Sequence, residues 1–355
     1  MPGKILPLMQ RVFPALMLLL GFCPPVIATP YLWQTNSSSN DIHIYNLDNF
    51  QLVRRLEVGA NPHGLAVPRS NDIVYLSLER YGREHGQLLR INPSNLEIER
   101  RMETCEGPQN IAVTPDGKWI YVPCKDGYYS VVDAGTGKTV KRIQTGGRPH
   151  NVKASGDGRY MYLSPLGNPR AVTVVDVPAG HQVVGTLPFG GQVRPLALST
   201  DDRFLFQQVD GVNGFRVADT ARREVINTVR NKASLGWYRP AQVLVNRVAK
   251  YLGLDDVYQI AHCHGIGVRP DGKEIWDTCG NNLTIHGLDG DHFPEVAQLK
   301  LSGTGYWLSF SPDSRLAAVA LSDKDQVAVV DCNRKIILRL LDVGHGPKRN
   351  MILDY

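Results

Sequence analysis

The chain has no low-complexity block, no long run of like charge and, after its first 22 residues, no apolar stretch near the ~18 residues of a membrane span. These absences argue against a disordered chain, an acidic or basic tail and a mature membrane span. Lysines and arginines are scattered, without the aromatic interleaving of a nucleic-acid groove, so no nucleic-acid partner is expected. Several catalytic signatures are missing as well. There is no Gly-x-Ser-x-Gly elbow, no phosphate-loop glycine pattern, no His-Glu-x-x-His and no Cys-x-x-Cys-His haem attachment. Charged residues are 21% of the 355 and the net charge is only +5, an ordinary balance for a folded protein.

What is present begins with the N-terminus. Lys4 and Arg11 precede the apolar run "VFPALMLLLGF", and "CPPVIATP" follows. Val26 and Ala28 occupy the −3 and −1 positions of a cleavage site after Ala28. This is the pattern of a secretory signal peptide over residues 1–28. Cys23 raises a lipoprotein alternative, against which Phe22 is too bulky. A periplasmic or secreted location is expected, in an oxidising compartment. Cys105, Cys124, Cys263, Cys279 and Cys332 then remain, an odd set that leaves at least one thiol unpaired or intermolecular.

Self-similarity decides the fold. "EGPQNIAVTPDGKWIYVPC", "GGRPHNVKASGDGRYMYLS", "GGQVRPLALSTDDRFLFQQ", "AHCHGIGVRPDGKEIWDTC" and "SGTGYWLSFSPDSRLAAVA" each place an apolar strand, a turn and a second apolar strand in succession, as does "GANPHGLAVPRSNDIVYLSL" before them. The turn residues Asp116, Asp157, Asp201, Asp271 and Asp313 are 41, 44, 70 and 42 apart. The interval of 70 is one unit plus an insertion. A third strand often ends in Val-Val-Asp (Asp133, Asp176, Asp331), whose carboxylate is suited to bond its own backbone across the next turn. A fourth strand follows. Four antiparallel strands per ~40–45 residues is the grammar of a propeller blade.

Six such units leave both chain ends over. Tyr31 to Val58 reads as the second, third and fourth strands of a blade, and Gly344 to Tyr355 as its lead-in and first strand. Together they make a seventh blade, against the alternative of six blades with stray tails. The expectation is an all-β, seven-bladed β-propeller of four-stranded antiparallel blades. It fills residues 29–355 as a single domain, and the two chain ends share the closing blade. A monomer is expected.

The pattern "GxxPHGxAVxPDGKxxYV…VVD" resembles the YVTN-family β-propellers of bacterial and archaeal secreted proteins, over nearly the whole mature chain. The resemblance implies the fold well and the activity poorly. It points toward a wider group that includes seven-bladed lactonases, amine-dehydrogenase subunits, haem-d1 domains and the propeller of nitrous oxide reductase.

One position repeats with polar residues only. Seven residues before each turn Asp stand Gln109, His150, Arg194, His264 and Tyr306; the matching positions in the remaining two blades are His63 and Lys348. This ring is expected at one mouth of the central channel. Three readings stay open. The ring is structural, satisfying loop backbone. Or it binds a small anionic ligand through Arg194, Lys348 and the neighbouring Arg349. Or His63, His150 and His264 hold a transition metal, although they fall on alternate blades. The function expected is a non-catalytic exported scaffold that binds a small anion or an exported protein partner. The competing class is a lactonase-like hydrolase or a redox protein with a metal or haem-type cofactor at the same mouth, for which only Glu106, Asp255 and Asp256 are acid/base candidates by position. No cofactor is firmly expected.

Cys263 and Cys279 stand eight residues either side of Asp271. They read as cross-hairpin neighbours, either a disulfide or, less naturally on a flat hairpin, part of a zinc site. Cys124 holds the equivalent position to Cys279, and Cys105 lies near the partner position for a second bridge. The insertion 233–260 carries helical spacing at Leu244, Val248, Tyr251 and Leu252, with Pro240 at a helix start. A short helix is expected there as a lid over the mouth, with Trp237, Tyr238 and Arg239 contributing stacking and charge.

Overall fold

The protein is described by a computed structural model covering residues 28–232 and 263–355, together with Leu244 and Val248. Its strands form seven four-stranded antiparallel sheets. The closing sheet is ordered as the repeat grammar requires: Pro347–Asp354 innermost, then Pro30–Asn36, Asp41–Asn46 and Gln51–Glu57. The C-terminal strand pairs with Pro30–Asn36 from Pro30↔Asp354 to Asn36↔Pro347. Tyr355 stacks on Tyr31 at 4.6 Å and its hydroxyl accepts from Trp33 Nε1 at 3.2 Å.

Burial falls off outward through each blade. In the closing blade the first three strands are mostly buried while Gln51–Glu57 is exposed. The core lies between neighbouring sheets. Trp33, Ile42 and Ile44 pack against Leu65, Val74 and Leu89 of the next blade, while Leu32 and Ile352 meet Ala318 and Val329 of the previous one. Twisted sheets stacked face to face around a ring thus bury both faces of their middle strands, which explains runs such as Leu316–Leu321 with no polar residue.

The turns behave as the sequence suggests, with one addition. Asp133 accepts from Thr136 N at 2.7 Å, Asp176 from Ala179 N at 3.0 Å and Asp331 from Asn333 N at 2.9 Å. In the first hairpin of four blades, a Ser or Thr two residues before the turn Asp completes the motif; before Asp271 that place is held by Arg269. Ser155 Oγ donates to Asp157 at 2.6 Å and accepts from Tyr160 N at 2.9 Å; Ser199 with Asp201 and Ser311 with Asp313 repeat it. The Ser155 and Ser199 hydroxyls are the main cause that holds Asp157 and Asp201 below the ordinary carboxylate range. A depressed carboxyl stabilises the fold above its unfolded pKa of about 4 and loses that contribution as pH falls through the folded value. The melting temperature is therefore expected to drop from pH 4.5 to pH 2.5, and less so in an Asp157→Asn/Asp201→Asn variant. Calorimetry across that range checks it.

Cys105–Cys124 and Cys263–Cys279 are disulfide-bonded, so both candidate bridges form. Cys332 is free and buried, its thiol pushed up to about 12, first by burial. Native protein is expected to leave Cys332 unmodified by an alkylating reagent at pH 8, with one thiol appearing after denaturation; rapid native labelling would contradict this burial.

Residues 233–243, which include Trp237, Tyr238 and Arg239, lie outside the described residues, as do Tyr251, Leu252, Asp255, Asp256 and residues 1–27, nearly all of the expected signal peptide. Leu244 and Val248 are helical and exposed.

Candidate functional site at the channel mouth

The ring position is built by a backbone irregularity. The pairing of the inner strand with its neighbour shifts register between Pro62 and Leu65, Arg148 and Asn151, Val193 and Leu196, Cys263 and Gly265, and Gly305 and Trp307. His63, His150, Arg194, His264 and Tyr306 each sit inside such a shift. The C-terminal strand shifts between its pairings to Gln34 and Asn36, where Lys348 and Arg349 fall. A bulge takes a residue out of the alternating pleat and re-aims its side chain. Gln109 is the exception, since the inner strand of its blade is only Ala112–Val113.

The structure divides the ring into tied and untied charges. Arg194 is tied: its Nε and Nη2 reach Asp210 Oδ1 and Oδ2 at 2.8 and 3.0 Å. Lys348 is tied as well, with Nζ 3.2 Å from Glu79 Oε2 and 3.1 Å from Tyr81 Oη. Glu79, only 2% exposed, also faces His63 Nδ1 at 3.3 Å and Lys125 Nζ at 3.8 Å. Burial alone would raise the Glu79 carboxyl, but His63, Lys348 and the Tyr81 hydroxyl outweigh it and hold it well below the usual range. Burial depresses His63 to about 4, against the pull of Glu79, so its imidazole is neutral at pH 7.

Glu79 and Asp210 were not picked out in the sequence, yet a signal exists. Each follows its ring residue, His63 or Arg194, by 16 positions, just past the end of the second strand. Lys125 holds the same place after Gln109. The partner of a ring residue is thus encoded across the hairpin, out of view of any local motif.

Arg349 is different. Its side chain is 1% exposed, with Cζ 3.7 Å from the centre of the Trp307 ring. Nη2 donates to Asn151 Oδ1 at 3.2 Å, while Nε and Nη1 have no hydrogen-bond partner. Among the described residues no carboxylate lies within 4.0 Å of it. Burial lowers its pKa to about 10, partly offset by Tyr306 and Glu79, so it stays charged at neutral pH.

Arg349 also fixes the polarity of its surroundings. Because Asn151 Oδ1 accepts from Arg349, its amide nitrogen faces His150 Nδ1 and donates to it. The proton of His150 is then on Nε2. His264 Nδ1 donates to Tyr306 O at 3.1 Å, and its ring stacks on Tyr306 at 4.0 Å. The His150 and His264 rings meet edge to face at 5.9 Å. Both are held well below 6.5, first by burial and then by neighbouring groups that include Arg349 and Arg194. Below the ring runs a channel of about 380 Å³ lined by all seven inner strands, with Arg349, Asn110, Asn151 and Trp307 among its lining residues.

His63, His150 and His264 are not among the described groups of three possible metal ligands whose donor atoms all lie within 4.8 Å of one another; the one such group, Cys263, Asp277 and Cys279, contains a disulfide. Glu106, the described acid/base candidate, is exposed.

No family model matches the chain, and no curated protein matches it. Solved structures do. The chain is similar to a protein from Lactobacillus plantarum (TM-score 0.73, 14% identity, 92% of this chain and 100% of that one). It is also similar to hydrazine synthase of Kuenenia stuttgartiensis (0.66, 16%, 83% and 95%) and to a dihydro-haem d1 dehydrogenase solved in complex with its ligand (0.61, 13%, 90% and 74%). At these identities the likeness is one of fold.

Proposed function

We propose that this chain is an exported propeller scaffold that binds a small oxyanion, a carboxylate or phosphate, at its channel mouth and does no chemistry on it. The observation that carries the reading is Arg349. A guanidinium that is fully buried, charged and left with two unused donors is costly unless something negative meets it. Arg194 is paired with Asp210, Lys348 and the more exposed Lys125 share Glu79, and the three histidines are neutral, so the buried charge of the mouth with no carboxylate beside it is that of Arg349. Burial strengthens its attraction for an anion and excludes competing water. The two disulfides suit an oxidising compartment, in keeping with export.

The test uses the full-length mature protein and isothermal titration with phosphate, acetate and citrate. Saturable binding of one equivalent of at least one of them, weakening with ionic strength, is expected. No heat with any of the three at millimolar concentration would sink the reading. The second reading, a haem-type cofactor at the same mouth, is favoured by one observation: a neighbour of the same fold is a dihydro-haem d1 dehydrogenase. A visible absorption band and bound iron in protein purified from its native compartment would favour it over the anion.

A further inference from the structure

Counting along the inner strands divides the channel below the ring into levels. Two positions past the ring residue stand Leu65, Ile111, Val152, Leu196, Ile266 and Leu308, with Asn350 in the closing blade. These six side chains line the channel and make it largely apolar at that depth. Three positions past the ring stand Ala66, Ala112, Ala197, Gly267, Ser309 and Met351, and in the remaining blade Lys153. Most of this level is small and uncharged, and Lys153 is its one charged side chain.

Lys153 is exposed to the space it lines. Among the described residues, its Nζ has no hydrogen-bond partner and no carboxylate within 4.0 Å. Desolvation lowers its pKa, against the more distant pull of Asp202. That carboxylate already accepts from Gly156 N at 2.7 Å. An ammonium in such a setting gains from a carboxylate brought beside it. Arg349 stands one position past the ring, so Lys153 lies two residues deeper, a strand rise of ~6.6 Å. The same cavity of about 380 Å³ touches both, a volume within the ~300–1,000 Å³ of small-ligand sites. From the mouth inward, the channel presents a guanidinium with unused donors, an apolar belt and a second cation.

We propose that the channel holds a short aliphatic dicarboxylate, with one carboxylate on Arg349, its methylenes against the apolar belt and the other carboxylate on Lys153. The proposal rests on the anion reading of the mouth and names the class of anion. A monocarboxylate meets one of the two cations and leaves the other unmatched. Selectivity therefore comes from the second charge-assisted contact.

The experiment titrates the full mature protein calorimetrically with succinate, glutarate and adipate, and with butyrate as the single-charge control. At least one dicarboxylate is expected to bind tenfold or more tightly than butyrate. Lys153→Met should remove that preference, with butyrate affinity changed less than threefold, and Lys153→Arg should restore part of it. Butyrate binding without any preference for a dicarboxylate overturns this proposal and leaves the anion reading standing. An unchanged preference in a folded Lys153→Met variant does the same. Absence of binding by every carboxylate and by phosphate overturns both. The wild-type comparison decides by itself should the variants fail to fold.

Discussion

Arg349→Met is expected to weaken oxyanion binding at the mouth at least a hundredfold while leaving the protein as stable as wild type, or close to it. The unused Nε and Nη1 donors offer an anion two charge-assisted hydrogen bonds, each worth about 1.5–3 kcal/mol. Losing both removes at least about 3 kcal/mol, or about two decades in Kd. Stability moves the other way. Methionine keeps apolar length against Trp307 but removes a buried charge with no carboxylate beside it, which relieves desolvation. That gain offsets the lost bond to Asn151 and the cation–π contact. Titration calorimetry and thermal melting read the two effects separately. The variant also carries an internal check. Arg349 is among the causes that hold His150 and His264 low, so both should titrate at higher pH in Arg349→Met when followed by NMR. Unchanged anion affinity would show that the guanidinium is only structural.

Deleting residues 347–355 is expected to abolish cooperative folding. The deletion strips the closing blade of its innermost strand and exposes the edge of Pro30–Asn36 along its whole length. Ile352 and Leu353, both nearly fully buried, are each worth about 2 kcal/mol of burial. The Tyr31–Tyr355 stack adds about 1 kcal/mol, and the ladder to Pro30–Asn36 is lost as well. Against a typical total of about 5–15 kcal/mol, this is enough to leave no stable ring. The truncated chain should show no sigmoidal melt by circular dichroism and should aggregate in sedimentation. A monomer melting within about 5 °C of the full chain would mean that six blades hold by themselves.

Blade number, strand order and the shared closing blade could be read from the chain because each unit repeats the same turn chemistry. Asp116, Asp157, Asp201, Asp271 and Asp313 mark one place in successive blades, so everything between them can be superposed by counting. The site was legible only in outline. Counting finds which residues occupy the ring, but not what each one meets. Arg194 and Lys348 read as free cations and are in fact neutralised by Asp210 and Glu79. The contact between Lys348 and Glu79 joins residues 269 positions apart, and it exists only because the ring closes. Arg349, the neighbour of a ring residue, emerged as the unbalanced charge for the same reason. The register shifts that aim the ring side chains left no mark in composition, since a bulge is set by how two strands pair and not by either strand alone. The two disulfides show the reverse case, where placement on one hairpin was enough to bring Cys263 and Cys279 into register.

Arg349 sits on the strand that shuts the ring, and this gives occupancy a thermodynamic reach beyond the mouth. A ligand held by that residue binds only the closed form, so by mass action it stabilises the join between the first and last strands. At a hundred times its Kd a single-site ligand adds about 2.7 kcal/mol to stability. If the proposed anion binds there, opening at the closing blade, sensed by amide exchange along Pro30–Asn36, would slow as anion concentration rises. On the proposed reading, the seam between the chain termini is the part of the molecule whose lifetime a bound anion would set.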